Sequence, residues 1–203
     1  MTETSSTREE RTASHGDTPI IVAGLPRSGT SMMMQILDAG GVPVLTDHAR
    51  KPDEDNPRGY YELEAVKRLP EDASWLEQAG GKVVKMVYRL LYDLPLDRDY
   101  RVIFMKRRLA EVIASQEEML QRSGKPSGDV DAASLADIYE RQLRDVQVWL
   151  SSHPNFRVLY VDYHDVVSEP ERTMREIDEF LGGGLDEASM ARAPDRSLYR
   201  QRQ

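Results

Sequence analysis

The sequence predicts an α/β domain of three layers, with a mostly parallel central sheet flanked by helices. Three observations carry that expectation. Short apolar runs rich in β-branched residues alternate with longer segments whose apolar residues recur at helical spacing. The first apolar run passes through a glycine-rich turn straight into a helical pattern. The chain has 203 residues, 39% hydrophobic and 31% charged, which suits a single domain with a packed core.

Residues 1–18 are polar and mixed in charge and lack the apolar stretch of a secretory signal, so they read as a disordered tail. Thr18 and Pro19 open the first element. Ile20, Ile21, Val22 and Ala23 are continuously apolar, as in a buried parallel strand. After a loop, residues 30–39 place Met33, Ile36 and Leu37 on one helical face, and Gly40 and Gly41 close the helix. Residues 41–60 contain Pro43, Pro52, Pro57 and Gly59 with charge throughout, and are expected to form a lid-like insert. Residues 61–69 are expected to be helical, and Asp72 or Ser74 to start a short helix through Trp75 and Leu76. Strands follow at 82–87, entered from Gly80 and Gly81, and at 101–105. Leu109, Val112, Ile113 and Leu120 share the face of a helix over 109–120. Residues 123–131, with Gly124, Pro126 and Gly128, read as a mobile loop. Leu135, Ile138, Leu143, Val146 and Leu150 mark a long helix that ends before Pro154, and a fourth strand spans 157–161. Pro170 suits the first turn of a last helix, which stops at the glycines of 182–184. The domain is therefore expected over 19–184, with 185–203 a polar tail that ends basic.

The chain has no cysteine, which excludes disulfides, thiolate catalysis and cysteine-based metal sites. Its net charge of −8 argues against nucleic acid or an anionic membrane as partner, and no apolar run is long enough to cross a bilayer. A cytoplasmic location is the default expectation. An anionic ligand would need local positive charge, and Lys106, Arg107 and Arg108 are the densest cationic spot within the patterned region.

The turn between the first strand and helix reads GLPRSGTS, residues 24–31. Gly24 and Gly29 have the spacing of a nucleotide phosphate loop, so the fold class is P-loop-like, but Thr30 stands where that loop carries its lysine. Pro26, Arg27, Ser28, Gly29, Thr30 and Ser31 can still cradle an anion. Glycine lets the backbone N–H groups turn inward, the helix adds its positive end, the hydroxyls add donors and Arg27 adds a cation. A plain strand-to-helix turn with capping hydroxyls would use the same residues. In a parallel sheet ligands bind beyond the carboxyl ends of the strands. The loop, Lys85, and Lys106 with Arg107 would then crowd one edge.

This loop resembles the 5′-phosphosulfate loop of sulfotransferases that use 3′-phosphoadenylyl sulfate (PAPS), which reads PKSGT in cytosolic enzymes and PRSGT in tyrosylprotein and many bacterial ones. PAPS has no triphosphate tail, so the missing lysine is what that resemblance implies. The stretch VIFMKRRLAEVIASQ matches the family's 3′-phosphate pair, an arginine at a strand end and a serine eight residues on, here Arg107 and Ser115. A guanidinium can hold a phosphate through two hydrogen bonds, and the hydroxyl adds another donor. VLYVDYHDVVSEP resembles the family's LYxxYED junction, whose tyrosine lies near the adenine. That tyrosine falls on Tyr163, with His164 in place of the usual glutamate. The resemblance covers roughly residues 20–181, and DEDNPRGYYE and PNFRVLYVDYHD are similar to compact bacterial members.

The resemblance implies PAPS as donor co-substrate, transfer of its sulfuryl group to a hydroxyl or amine, and no metal. It assigns charge stabilisation to Arg27 and to Lys85, which matches the lysine of the cytosolic K-x-H strand end. The histidine of that motif is replaced by Val87. A glutamate serves as base in the tyrosylprotein branch, which makes Glu62 the candidate base, ahead of Asp47 and His48. Glu62 could equally be a helix N-terminal glutamate favoured by the dipole. No R-K-G motif occurs near the C-terminus. Arg192, Arg196, Arg200 and Arg202 could reach the 3′-phosphate or lie in solvent. Two other functions remain open. A kinase or NTPase would use Asp162 after residues 158–161 as a Walker B strand and would require Mg²⁺. A non-catalytic 3′-phosphoadenosine-nucleotide-binding protein is suggested by Val87. The acceptor, a small molecule or a protein, is not legible. The 41–60 insert and the 123–131 loop would wall its site, and a homodimer could complete it.

Overall fold

The computed structural model describes residues 16–47, 59–124 and 131–194. β1 (Ile20–Gly24) is central because all five of its residues are buried, as a strand covered on both faces requires. β2 (Val83–Val87) lies on one side of it. β3 (Tyr100–Lys106) and then β4 (Phe156–Asp162) lie on the other. The sheet order is β2-β1-β3-β4 and every pairing is parallel.

Alternation along the strands sorts the core into two layers. Ile21, Ala23, Val84, Met86, Val102 and Phe104 pack with Val112 of α2 (Leu109–Arg122) and Val146 and Leu150 of α3 (Ala132–Ser151). Ile20, Val22, Val83, Ile103 and Met105 pack on the other face against α1 (Thr30–Ala39), α4 (Tyr163–Ser168) and α5 (Pro170–Leu181). The three-layer α/β architecture is as expected. Register aligns the strand ends: Gly24 lies beside Val87 and Met105, and Lys106 beside Asp162. The chain moves from β1 out to β2, then back across β1 to β3. A reversal of strand order of this kind opens a ligand crevice at the carboxyl edge.

Several segments differ from expectation. Over 61–69 only Glu64–Arg68 winds, and as a 3-10 turn, because Tyr61 has φ 51° and Leu63 is extended. Ser74–Gln78 is likewise a 3-10 turn. The start of the 41–60 insert is pinned to the sheet: the Val83 N–H donates to the Pro43 carbonyl (2.9 Å) and the Leu45 N–H to the Val83 carbonyl (3.0 Å). Residues 48–58 lie outside the described residues, as do 125–130 of the expected loop. A 3-10 turn at Tyr88–Asp93 and helix α4 were not anticipated, since neither is set off from its strand by glycine or proline.

The expectation of a tail from 185 is corrected over the described part, which forms α6 (Glu187–Arg192). Asp186 caps this helix by accepting from the Ser189 N–H (3.0 Å), and Met190 is fully buried. A Cβ on Gly40 would come within 2.7 Å of Met190 Cγ, so the bare glycine at the end of α1 is what lets α6 approach. One buried methionine among polar residues leaves no periodic signal. Residues 1–15 and 195–203, including Arg196, Arg200 and Arg202, lie outside the described residues. Arg192 donates to Ser189 Oγ within α6 (3.1 Å). No helix among the described residues is long and apolar enough to cross a membrane.

Candidate active site

The loop leaving β1 turns through two left-handed residues, Arg27 at φ 71° and Gly29 at φ 100°. Gly29 admits no side chain for a second reason: a Cβ there would lie 2.6 Å from Tyr163 Cδ2. Ser28 is buried, and its Oγ has no hydrogen-bond partner among the described residues. α1 begins at Thr30 with no side-chain cap and no acidic residue in its first turn. Its first amides, the hydroxyl of Ser28 and the positive end of the helix are donors suited to an anion. Pro26 joins the wall of the adjoining cavity.

Arg107, one residue past β3, locks onto this loop. Its Nη1 donates to the Arg27 carbonyl (3.1 Å) and its Nε to Glu111 Oε2 (2.9 Å). Its guanidinium carbon lies 4.3 Å from the centre of the Tyr163 ring. The Arg27 side chain runs to α2, where Nε donates to Ser115 Oγ (3.0 Å). Ser115 is 7% exposed and Tyr163 6%. Tyr163 thus lies packed between Gly29 and Arg107. Glu111 is fully buried, and its Oε1 lies 2.9 Å from His164 Nε2. Sequence reasoning passed over Glu111, although an arginine and a glutamate four residues apart at a helix start are a readable pair.

Lys85 and Glu62 meet on the other side of the loop. Lys85 lies within β2, in register with Val22. Its Nζ donates to Ser31 Oγ (3.2 Å) and to the Tyr60 carbonyl, and lies 3.8 Å from Glu62 Oε1. Glu62 follows Tyr61 and has its carbonyl held by Thr46 Oγ1 (2.7 Å) and the Asp47 N–H (3.3 Å). Asp47 Oδ2 accepts from the Glu64 N–H (2.6 Å), a backbone contact and not one with the cavity. His48 lies outside the described residues.

The loop, Glu62 and Lys85 border one cavity of about 330 Å³, whose lining does not include Arg107, Ser115 or Tyr163. Gly24, Pro26, Arg27, Thr30 and Ser31 form its loop end, with Glu62 and Lys85 at its side. Leu63, Val66, Met86, Val87, Leu90 and Met119 give it an apolar wall. Donors and cations at one end, a carboxylate beside them and an apolar wall beyond suit transfer of an anionic group to a nucleophile.

Comparison with known proteins agrees with this geometry. The sulfotransferase domain family matches residues 17–201. Sulfotransferase 1A1 of Rattus norvegicus is 24% identical over 191 residues, covering 84% of this chain and 62% of the rat protein; the Mus musculus protein matches equally over 190 residues. The chain thus spans 62% of the length of these curated relatives. Among solved structures, sulfotransferase STF1 from Mycobacterium tuberculosis has a TM-score of 0.56 at 20% identity, covering 88% of this chain and 72% of its own. The mouse sulfotransferase SULT7A1 complexed with PAP has a TM-score of 0.53 at 16% identity, covering 87% and 62%. The structural likeness establishes the P-loop-like α/β fold, and with a family match running nearly end to end, the chain belongs to the sulfotransferase family.

Proposed function

We propose that this protein is a sulfotransferase that takes PAPS as donor and sulfates a hydroxyl or amine. One observation carries the reading. Arg27 joins two groups of residues that the family resemblance assigns to opposite ends of the nucleotide: its carbonyl accepts from Arg107 and its side chain donates to Ser115. The loop and the strand-end pair are therefore one connected anion site. The residues fit such a ligand, since Ser28 Oγ is buried without a partner among the described residues and α1 begins with no side-chain cap.

PAPS supplies a sulfuryl group activated by its anhydride bond to phosphate. The rest of the chemistry falls to the chain. The loop N–H groups and the hydroxyls of Ser28, Thr30 and Ser31 bind the phosphosulfate end. Arg107 and Ser115 bind the 3′-phosphate. Lys85, held against Ser31, keeps a cation beside the loop and so stabilises negative charge there. Glu62 accepts the acceptor's proton at a carboxylate oxygen. The apolar wall of Leu63, Val66 and Leu90 excludes water from that end of the cavity.

The kinase or NTPase reading would call on an acidic residue that here serves as a helix cap. Asp162 is the N-cap of α4, and its Oδ1 accepts from the His164 N–H (2.8 Å). A non-catalytic nucleotide binder keeps one supporting observation, the valine at position 87.

Thermal stabilisation by adenosine 3′,5′-bisphosphate, set against ADP and Mg²⁺-ATP, tests the donor site. Ligand at a hundred times its Kd adds about 2.7 kcal/mol. The expected result is a shift specific to the 3′-phosphorylated nucleotide and lost in Arg107→Ala. A shift with Mg²⁺-ATP and none with the bisphosphate overturns the proposal. Release of the bisphosphate from PAPS with a panel of phenols, alcohols and amines then separates an enzyme from a binder.

A further inference from the structure

A carboxylate beside an arginine that must bind phosphate looks counterproductive, because it cancels the charge that attracts the ligand. Yet Glu111 is fully buried, and its Oε2 takes the Arg107 Nε–H at 2.9 Å. Burying an unpaired carboxylate is costly, so each contact Glu111 makes is worth accounting for. Its second oxygen is held by His164 Nε2 at 2.9 Å, and His164 is fixed in turn because its backbone N–H donates to Asp162 Oδ1. Glu111 also lies in the first turn of α2, where the positive helix end favours it.

The consequence for Arg107 is geometric. Its Nε edge faces Glu111, its Nη1 is tied to the Arg27 carbonyl, and its face lies over Tyr163. A guanidinium has five N–H donors in a rigid plane. Fixing one edge, one end and one face sets the direction of the rest of the fork. Bidentate recognition of a phosphate depends on that direction, and side-chain ordering done before binding is not charged against affinity.

We infer that Glu111, backed by His164, is a positioning pair that sets the Arg107 guanidinium for the 3′-phosphate and so confers preference for 3′-phosphorylated adenosine nucleotides. This rests on the proposed donor site. Neither residue touches the ligand itself; both act through Arg107.

The test compares Kd values for adenosine 3′,5′-bisphosphate and adenosine 5′-monophosphate, by calorimetry on the full chain, in four proteins: wild type, Glu111→Gln, Arg107→Ala and the double variant. Glu111→Gln is expected to weaken the bisphosphate about tenfold, the size of one charged hydrogen bond. The monophosphate should change less than about twofold, since it lacks the group Arg107 reads. In the Arg107→Ala background Glu111→Gln should have no further effect on the bisphosphate. Should Glu111→Gln fail to fold, His164→Ala and His164→Gln carry the test. His164 is partly exposed, and the glutamine can restore a donor to Glu111. The alanine variant should lose part of the preference and the glutamine variant regain it. Equal losses for both nucleotides, or additive effects of the Glu111 and Arg107 changes, would reduce the pair to structural support and overturn the inference alone. A wild type indifferent to the 3′-phosphate would overturn the donor site itself.

Discussion

Replacing Gly29 by alanine places a methyl group in a left-handed turn and against a fixed ring. The two costs can be worked separately. At φ 100° an L-residue is strained by about 1–2 kcal/mol. The new Cβ would lie 2.6 Å from Tyr163 Cδ2 and 3.1 Å from Cε2, and overpacking of this kind adds about 1–3 kcal/mol. Tyr163 has little room to yield, being 6% exposed and stacked with Arg107 at 4.3 Å. The sum is about 2–5 kcal/mol, a large share of the roughly 5–15 kcal/mol that stabilises a domain. Gly41 is the internal control. It has φ 92°, and a Cβ there meets nothing within 4 Å, so Gly41→Ala incurs only the first cost. Urea unfolding of both variants, followed by far-UV circular dichroism, should therefore separate them by about 1–3 kcal/mol. Gly29→Ala should also weaken binding of adenosine 3′,5′-bisphosphate, because the displaced loop misdirects its N–H groups. Equal destabilisation by the two substitutions would refute the reasoning, since it would mean that the Tyr163 ring gives way without cost.

Other outcomes follow from the same geometry. Glu62→Gln should lower turnover by about 10²–10⁴-fold, as loss of a general base does, while the Kd for the bisphosphate and the melting temperature stay unchanged. Parallel losses of binding and turnover would assign Glu62 to structure. Met190→Ala should cost about 2–5 kcal/mol in urea unfolding, because it empties a fully buried site between α1 and α6. A loss under about 1 kcal/mol would return residues 185–194 to the status of a tail. Burial pushes the Tyr100 phenol up to about 12. A raised phenol pKa leaves stability whole below pH ~10 and removes it as pH climbs through the folded value, by at most about 2.7 kcal/mol. Tyr100→Phe should flatten that alkaline decline relative to wild type, and an unchanged slope would place the titrating group elsewhere.

The strands were legible because each is rich in apolar and β-branched residues, and Ile20 to Ala23, apolar throughout, could hardly be anything but a central strand. The turn after β1 stood out in the sequence because its glycines and hydroxyls are closely spaced, and the structure brings it into contact with Arg107 and Ser115. What escaped notice depends on single contacts. α6 is held by one methionine, and α4 begins in the residue after β4 with no break between them. The left-handed Tyr61 has no local sequence cause, and it turned an expected helix into a 3-10 turn. Glu111 escaped because a glutamate in a first helical turn normally faces water. The Arg107 spacing was readable, but the second partner, His164, lies 53 residues further on, and no local pattern reports it.

The position of the candidate base has a mechanistic consequence. The family resemblance puts a histidine at the end of β2, on the rigid sheet, but Val87 stands there, 41% exposed and lining the cavity. Valine moves no proton. Glu62 instead comes from a segment beside the sheet. That segment is held by Thr46 and Asp47 on the Glu62 carbonyl and by the Tyr61 hydroxyl, which donates to Asp38 Oδ2 at 3.3 Å. A tyrosine at φ 51° costs about 1–3 kcal/mol and persists only where its surroundings over-determine it, and these contacts supply the constraint. Under the proposed function, donor binding would rest on the β1 loop, Arg107 and Ser115, and proton removal on Glu62 in the segment around 60–62. The two groups of residues meet at Lys85, whose Nζ donates to Ser31 Oγ at the loop and to the Tyr60 carbonyl and lies 3.8 Å from Glu62 Oε1. In this chain, a change confined to the Glu62 side chain should act first on turnover, and any loss of donor affinity should come through Lys85.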